Sequence, residues 1–277
     1  HYRHINVAPI EREEEITEPI HRTFSPTPFL PKKGKEEQYC LDVFSIQTNA
    51  LARRWEHTHS ETVVIGISGG LDSTLALLVS VQTADLLGYD RSRVVGVTMP
   101  GFGTSDRTYQ NALQLMKELG ITHREISICN VATQHLNDIA HNMDVHDATY
   151  ENAQARVRTL ILMDLANELN GLVVGTGDLS ELALGWCTYN GDQMSMYSVN
   201  AGIPKTLVKY LVKFAAENLY GEPLRSILLD VVETPVSPEL LPTDEHGEIA
   251  QKTEDKVGPY ELHDFFLYHF IRFGACP

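Results

Sequence analysis

Short apolar runs alternate with segments of helical periodicity along most of the chain, and this alternation limits the fold more than any other feature. Four strands are predicted, at residues 63–67, 93–99, 124–128 and 171–176. Helices are predicted at residues 40–56, 72–87, 105–120, 147–170 and 205–219. Strands that alternate with helices in this way indicate a parallel sheet. The predicted fold class is therefore α/β, a doubly wound parallel sheet with helices on both faces.

The two ends of the chain differ from this pattern. Residues 1–38 contain five prolines and clustered charge with little periodicity, which predicts a tail or linker before a domain at 39–277. Beyond about residue 232 the sequence is rich in Pro, Gly and charge, which is typical of a loop. A helix with many aromatic residues follows at about 265–273.

Composition excludes two classes of partner. The net charge of -15 argues against sequence-independent binding of nucleic acid, which needs many cations at phosphates. No apolar run approaches the roughly 18 residues that span a bilayer, so no membrane partner is expected. The four cysteines, at positions 40, 129, 187 and 276, form no C-x-x-C pair, and scattered thiols favour a reducing, cytoplasmic location.

The string "SGGLDS" at residues 68–73 interrupts the first strand-to-helix junction. Glycines let main-chain N–H groups approach a ligand, and a helix N-terminus attracts anions. Asp72 would repel a bare phosphate, but it is well placed if a divalent cation lies between them. A glycine turn alone is common; the complete string at the carboxyl end of a strand favours a phosphate site.

The segment "GTGDLSELALGWCTYNGD", residues 175–192, follows the fourth strand and should face the same ligand. Thr176 is placed to reach a nucleotide, and Glu181 could be a second carboxylate on the metal. Alternatively, "DLSE" is a capping sequence at a helix start, with Glu181 on a solvated face.

These motifs resemble known families. The string at 68–73 resembles the pyrophosphate loop of the N-type ATP pyrophosphatases. The longer segments "ENAQARVR", "GTGDLSELALGWCTYNGDQMSMYSVNAGIPKT" and "QKTEDKVGPYELHDFFLYH" are similar to NAD synthetases, in particular to the synthetase domain of the glutamine-dependent, two-domain form. The resemblance covers residues 40–277. It implies ATP-dependent amidation of deamido-NAD to NAD through an adenylated intermediate, with release of AMP and pyrophosphate.

The resemblance also implies roles for individual residues, with Asp72 and Lys205 as catalytic residues and Asp72 and Glu181 as ligands of Mg²⁺. Residues implied to bind ATP are Gly66, Ile67, Ser68, Gly69, Gly70, Leu71, Ser73, Thr176 and Ser237, with Lys205 as a further contact. Residues implied to contact deamido-NAD are Asn152, Arg156, Glu181, Trp186, Thr188, Tyr189 and Asp192.

Physical reasoning supports some of these roles more than others. Asn152 and Arg156 are one helical turn apart and share a face, whereas Arg158 points elsewhere and is as well explained by an ion pair or subunit contact. Lys205 follows Pro204 in the first turn of a helix, where a cation opposes the helix dipole unless a phosphate is nearby. Trp186 and Tyr189 could stack on a pyridine ring or simply pack. For His263 and Asp264 the choice between site closure, core and dimer contact stays open.

The two-domain family implies a nitrilase-like glutaminase domain before this chain, with residues 1–38 as its end and linker, and a basic tail beyond Pro277. In the full-length enzyme glutamine hydrolysis would supply ammonia, and a homodimer is expected. Thr188-Tyr189-Asn190 stands where ammonia-dependent members usually have Thr-Lys-Tyr, so the role of that lysine is not carried over. The alternatives are another ATP pyrophosphatase (GMP synthetase, argininosuccinate synthetase or a tRNA thiolation enzyme), a non-catalytic nucleotide-binding module, and a purely structural fragment.

Overall fold

The computed structural model describes residues 22–235, residue 240 and residues 253–275. Five parallel strands form one sheet in the order β3-β2-β1-β4-β5. The strands are β1 (Thr62–Gly66), β2 (Val94–Thr98), β3 (Thr122–Glu125), β4 (Gly171–Gly175) and β5 (Tyr197–Ser198). The helices are α1 (Glu36–Thr58), α2 (Leu71–Leu87), α3 (Asp106–Glu118), α4 (Cys129–Asp138), α5 (Ala148–Glu168), α6 (Leu179–Leu184), α7 (Lys205–Asn218), α8 (Leu224–Glu233), α9 (Thr253–Val257) and α10 (Tyr260–Phe273).

The central strand β1 determines where a ligand can enter. Val64 of β1 is in register with Val95 of β2 on one side and with Val173 of β4 on the other. From β1 the chain builds outward through β2 and β3, and then returns past β1 to form β4. The strand order therefore reverses between β1 and β4, and in such sheets ligands bind outside the carboxyl ends of the strands at that point.

Apolar side chains on both faces of the sheet pack against helices, which confirms the doubly wound α/β prediction. Val63 and Ile65 belong to a core shared with α1, α2, α3, α7 and α8. Val64, between them, belongs to the opposite core with α4 and α5. This alternation follows from the two-residue period of a strand, and it explains why the strand sequences are apolar throughout.

Helix α2 is the best-buried helix next to the candidate ligand loop. Ten of the eleven residues from Ser73 to Thr83 are buried, and Gln82 is the exception. Two hydroxyl groups inside this helix are satisfied locally: Ser80 Oγ donates to Ala76 O (2.8 Å) and Thr83 Oγ1 to Val79 O (2.7 Å). The buried Thr74 Oγ1 has no hydrogen-bond partner among the described residues. A helix held on all sides in this way gives the loop that precedes it a fixed base.

Several sequence predictions differ from the structure. The third strand was placed at 124–128, but β3 spans Thr122–Glu125 and alternates between half-buried and exposed residues, because it is an edge strand. Helices α4 and α8 and the two-residue strand β5 have no counterpart in the sequence prediction. Helix α9 and the start of α10, at Tyr260, lie in the segment that the sequence predicts as a loop. The helical periodicity of residues 40–56 predicts one buried face made of Leu41, Phe44, Leu51 and Trp55; the last three are buried, but Leu41 is 39% exposed. Within the described residues, no helix is long and apolar enough to cross a membrane.

Candidate active site

A cavity of about 490 Å³ opens at the carboxyl edge of the sheet, where the strand order reverses. The loops after β1 and β4 and one face of α5 form its walls. Eleven of the residues predicted from sequence line it: Gly66, Ile67, Ser68, Asp72, Ser73, Asn152, Thr176, Glu181, Trp186, Thr188 and Asp192. Gly69, Gly70, Leu71, Arg156, Tyr189 and Lys205 do not line it, although the first three belong to the same loop and Lys205 contacts two lining residues.

The loop between β1 and α2 is held in shape by its own hydroxyl groups and by α3. Gly70 N donates to Ser68 Oγ (3.2 Å), Ser68 Oγ and Ser73 Oγ are 3.1 Å apart, and Ser73 Oγ donates to Gly70 O (3.1 Å). Gly69 has φ +86°, and a Cβ there would lie 2.1 Å from Thr108 O. Only glycine fits this close approach, so the loop is packed against the first turn of α3.

A buried lysine and three carboxylates form the polar centre of the site. Lys205 Nζ lies 2.6 Å from Asp72 Oδ2, 2.8 Å from Asp178 Oδ2 and 2.8 Å from Glu181 Oε1. Lys205 is 3% exposed and Asp178 is fully buried. The ring of Tyr260 covers the ammonium, with 5.4 Å between Nζ and the ring centroid. The four members come from the starts of three helices: Asp72 from α2, Asp178 and Glu181 from the cap and first turn of α6, and Lys205 from α7.

One ammonium group cannot neutralise three carboxylates in a buried place. Burial raises the pKa of Glu181 to about 8, with the charge of Asp72 adding to the effect and Lys205 opposing it. Burial likewise raises the pKa of Asp178 to about 7, again opposed by Lys205. For Lys205 burial acts to lower the pKa, but the three carboxylates outweigh it and raise that pKa well above its ordinary value. The lysine is therefore charged, and the cluster gains an excess of negative charge as Asp178 and Glu181 lose their protons, at about pH 7 to 8.

The residues of this cluster fit a divalent cation. One ligand oxygen from each of Asp72, Asp178 and Glu181 lies within 4.8 Å of the others. Asp72 Oδ1 is buried and has no hydrogen-bond partner among the described residues. Carboxylate oxygens are the ligands that Mg²⁺ prefers, commonly one or two of them together with phosphate.

The family model described as NAD synthase matches residues 43–269, most of the chain. The chain belongs to the NAD synthase family. The matched range begins within α1 and ends within α10, and it includes the loops after β1 and β4 that line the cavity.

Two curated relatives support the assignment to the family. The chain is 45% identical over 257 residues to the glutamine-dependent NAD(+) synthetase of Mycobacterium leprae, covering 90% of this chain and 38% of the relative. It is 37% identical over 212 residues to that of Acinetobacter baylyi, covering 76% of this chain and 36% of the relative. The chain thus spans less than two fifths of the length of these curated relatives.

Solved structures of the family share the fold. An NMN synthetase from Francisella tularensis superposes with a TM-score of 0.68 at 25% identity, covering 82% of this chain and 85% of that one. A glutamine-dependent NAD+ synthetase from Acinetobacter baumannii, solved in complex with ADP, superposes with a TM-score of 0.63 at 27% identity, covering 85% of this chain and 40% of that one.

The residues assigned to deamido-NAD by family resemblance separate into two groups. Asn152 and Thr188 line the cavity and bond to each other, Thr188 Oγ1 donating to Asn152 Oδ1 (2.8 Å). Thr188 N also donates to Asp192 Oδ1 (2.7 Å). Arg156 and Tyr189 lie outside the cavity; the guanidinium Nε of Arg156 donates to Tyr189 O (3.1 Å), and the Tyr189 side chain is 72% exposed.

Arg158, rather than Arg156, is the α5 arginine that lines the cavity. Its Nε donates to Met99 O (3.2 Å) at the end of β2, and it is close enough to Asp192 to affect that carboxyl group electrostatically. The deamido-NAD contact that family resemblance implies for Arg156 stays a prediction, since Arg156 does not line the cavity although Asn152, one turn earlier on α5, does.

Asp178 is a site residue that sequence reasoning missed. Its Oδ1 accepts from Glu181 N (2.8 Å) and so caps α6, as the "DLSE" pattern predicted, while its Oδ2 contacts Lys205. The capping interpretation was correct, but Glu181 is not on a solvated face, since it contacts Lys205 and lines the cavity. The burial of Asp178 comes from its tertiary contact with Lys205, so the capping pattern in the sequence does not indicate it.

The remaining predicted residues are placed as follows. Ser237 lies outside the described residues. Lys205 is the first residue of α7, as expected. His263 lies in the first turn of α10 and contacts Val257 O at the end of α9. Asp264 is buried and bonds to Ser180 and Thr206, so it belongs to the interior beside the site rather than to an exposed surface.

Proposed function

We propose that this chain catalyses the ATP-dependent amidation of deamido-NAD to NAD, with release of AMP and pyrophosphate. The observation that carries the proposal is the contact of one buried lysine with three carboxylates beside a glycine loop; two of these carboxylates, Asp72 and Glu181, line the cavity. Membership of the NAD synthase family supports the choice of reaction.

The glycine loop would bind the triphosphate of ATP. Main-chain N–H groups of residues 68–70 and of the first turn of α2 would be the donors, since Ile67 N already donates to Val97 O (2.8 Å). The absence of a Cβ at Gly70 allows a phosphate to approach closely. The hydroxyl groups of Ser68 and Ser73 lie 3.1 Å apart in the loop, and each would turn its single O–H away from its present partner to donate to a phosphate oxygen. Thr176, on the facing loop after β4, lines the same cavity and would contact the nucleotide.

Asp72 and Glu181, with Asp178 behind them, would hold Mg²⁺. When bound there, Mg²⁺ supplies charge neutralisation for the phosphate groups and stabilises the departing pyrophosphate. Lys205 would bring a second positive charge to the phosphates, and its buried ammonium group needs little reorganisation during the reaction. Positioning and charge neutralisation account for most of the rate in chemistry of this type.

The reaction would proceed in two displacements. A carboxylate oxygen on the pyridine ring attacks the α-phosphorus of ATP, and the bond from that phosphorus to pyrophosphate breaks. Ammonia then attacks the activated carbonyl carbon, the bond to AMP breaks, and the nitrogen loses a proton to give the amide of NAD. Asn152, Trp186, Thr188 and Asp192 would hold the pyridine nucleotide, since they line the cavity beside the loop. Arg156 and Tyr189 would contribute only at the outer edge of the site.

Three further features extend the proposal. Ammonia would come from a glutaminase domain in a longer chain, consistent with the 38% coverage of the Mycobacterium leprae relative. The active form would be a homodimer, as implied by resemblance to the family. The location would be the cytoplasm, in keeping with free thiols at Cys40, Cys129 and Cys187.

The nearest competing function is amidation of a smaller pyridine nucleotide. The Francisella tularensis protein with a similar fold is an NMN synthetase, and it is matched over most of its own length. The same cavity would then hold a mononucleotide carboxylate in place of deamido-NAD.

A substrate panel separates these functions. The chain is incubated with Mg²⁺, ATP and ammonia, together with deamido-NAD, nicotinate mononucleotide, xanthosine monophosphate or citrulline, and AMP release is measured. AMP and NAD formed in equal amounts with deamido-NAD support the proposal. AMP release only with another acceptor would replace it by the corresponding synthetase, and ATP binding without AMP release under any condition would indicate a non-catalytic module.

A further inference from the structure

Helix α7 carries Lys205 as its first residue, but the chain offers no local cap for that helix. The N-cap position is Pro204, which has no side-chain acceptor, and no side chain caps the helix from that position. The first N–H groups of a helix need partners, and a buried helix start without them is costly. The partners of α7 must therefore come from elsewhere in the fold.

Two distant side chains supply these partners. Ser180 Oγ accepts from Lys205 N (2.9 Å), and Asp264 Oδ2 accepts from Thr206 N (2.9 Å) and from Thr206 Oγ1 (2.6 Å). Ser180 Oγ in turn donates to Asp264 Oδ1. Asp264 is 2% exposed and Ser180 is fully buried. Both carboxylate oxygens of Asp264 are thus used, and its negative charge lies at the positive end of the α7 dipole.

This network joins the helices that carry the lysine and its partners. Ser180 lies in α6, between Asp178 and Glu181, while Thr206 follows Lys205 in α7. Asp264 comes from α10, whose first residue, Tyr260, covers the Lys205 ammonium. One buried carboxylate therefore fixes the start of α6 relative to the start of α7, and with it the position of Lys205 relative to Asp178 and Glu181.

We infer that Asp264 is a positioning residue for the reaction: it does not touch substrate, but it sets the location of Lys205 through Ser180 and Thr206. The inference rests on the proposed function for its kinetic consequence. It also means that the C-terminal helix α10 is required for a competent site, since the network cannot form without it. A displacement of a catalytic group by about 1 Å can cost on the order of 100-fold in rate.

The test compares Asp264→Asn with Glu261→Gln in the full chain. Glu261 is an exposed acid on the same helix, so its variant controls for loss of charge from α10. Asp264→Asn keeps the shape of the side chain, but its amide N–H₂ group then faces Ser180 or Thr206, which donate to the carboxylate of Asp264. Expected is a fall in kcat for AMP release of about 10- to 100-fold, with KM for deamido-NAD within about twofold, and no change for Glu261→Gln. A folded Asp264→Asn variant with kcat within twofold of wild type overturns the inference.

A second pair of variants decides the matter if Asp264→Asn does not fold. Thr206→Val removes only the hydroxyl donor to Asp264, while Thr206→Ser retains it. The inference expects Thr206→Val to be slower than Thr206→Ser by about threefold or more, with Thr206→Ser close to wild type. Equal rates for the two variants contradict it.

Hydrogen exchange separates this inference from the proposed function. Amide exchange at Lys205 and Thr206 should quicken in Asp264→Asn, or in Thr206→Val relative to Thr206→Ser, and remain unchanged in Glu261→Gln. If the wild-type chain releases no AMP, the proposed function fails, but unchanged exchange at the start of α7 would still overturn the positioning role, and faster exchange would support it.

Discussion

Asp72 and Lys205 are 133 residues apart in the sequence, yet Lys205 Nζ lies 2.6 Å from Asp72 Oδ2. Asp72 belongs to the first turn of α2 after the glycine loop, and Lys205 begins α7 on the other side of the crevice. Their contact brings the start of α7 against the start of α2, beside the glycine loop that should bind a triphosphate. The charge balance of this pair with Asp178 and Glu181 leads to the first predictions.

Removal of the lysine should destabilise the protein. In Lys205→Met three carboxylates remain close together without their cation, and breaking a buried ion pair typically costs about 3–5 kcal/mol in the free energy of unfolding. Protons taken up by Asp178 and Glu181 reduce this loss at low pH. Urea unfolding at pH 8 measures it, with Lys209→Met, an exposed lysine one turn further along α7, as control. A loss no larger than that of the control would show that the lysine does not neutralise the cluster.

Mg²⁺ should stabilise the folded chain even without nucleotide. A ligand that binds only the folded state raises its apparent stability, and Asp72, Asp178 and Glu181 offer three oxygens in a common space. We expect a rise in Tm with millimolar Mg²⁺, a larger rise in Lys205→Met, and little or none in Asp72→Asn. Asp138→Asn, on the exposed end of α4, serves as the matched control. Equal shifts in Asp72→Asn and Asp138→Asn would mean that Mg²⁺ binds elsewhere.

Gly69 should tolerate substitution less than Gly88, although both have positive φ. An alanine Cβ at Gly69 would lie 2.1 Å from Thr108 O, while nothing lies within 4 Å of one at Gly88. Gly88→Ala should cost about 1–2 kcal/mol from backbone strain alone. Gly69→Ala should cost about 1–3 kcal/mol more, because the loop must move away from α3, and it should also weaken ATP binding. Chemical denaturation and titration with ATP check both statements; equal losses of stability would contradict the close packing.

Asp230 should make stability depend on pH in the acid range. Arg107 donates to both of its carboxylate oxygens, at 3.0 and 2.6 Å, and holds the pKa of Asp230 below its ordinary value of 3.8; the hydrogen bond from Asn111 acts in the same direction. The folded state therefore binds this proton more weakly than the unfolded state does. The stabilisation is present above the ordinary pKa and is lost as pH falls through the folded pKa.

The variant Asp230→Asn measures this contribution. Since the pair is partly exposed, we expect it to lower the free energy of unfolding by no more than about 1 kcal/mol at pH 7. The difference from wild type should close as pH falls through the folded-state pKa of Asp230, which lies below the ordinary value. A difference that persists unchanged at pH 2.5 would rule out the ion pair as its cause.

The parallel sheet and its ligand edge could be predicted because they depend on local patterns. Apolar runs, the glycine string and the cap at Asp178 are all visible within a few residues of sequence. The predicted bounds of the third strand were wrong because of its position in the sheet. Strand β3 is a half-exposed edge strand, so its sequence carries no strong apolar signal. The two-residue strand β5 is too short to show any period.

The carboxylate–lysine cluster could be predicted only in part. Family resemblance indicated Asp72, Glu181 and Lys205, but the burial of Lys205 depends on residues 24 and 133 positions away. Asp178 was interpreted only as a helix cap because its second contact is tertiary. Helical periodicity shows which residues share a face but not which face meets the cavity. The sequence therefore does not show that Arg158 lines the cavity and Arg156 does not.

The central claim is that the triphosphate of ATP lies between the glycine loop and the acidic cluster. A crystal structure of the chain with Mg²⁺ and a non-hydrolysable ATP analogue tests it most directly. The account predicts phosphate oxygens at the main-chain N–H groups of residues 68–70, Mg²⁺ on Asp72 and Glu181, and Lys205 Nζ within hydrogen-bond distance of a phosphate. A nucleotide bound away from this loop, or Asp72 without a metal while the nucleotide is present, would contradict it.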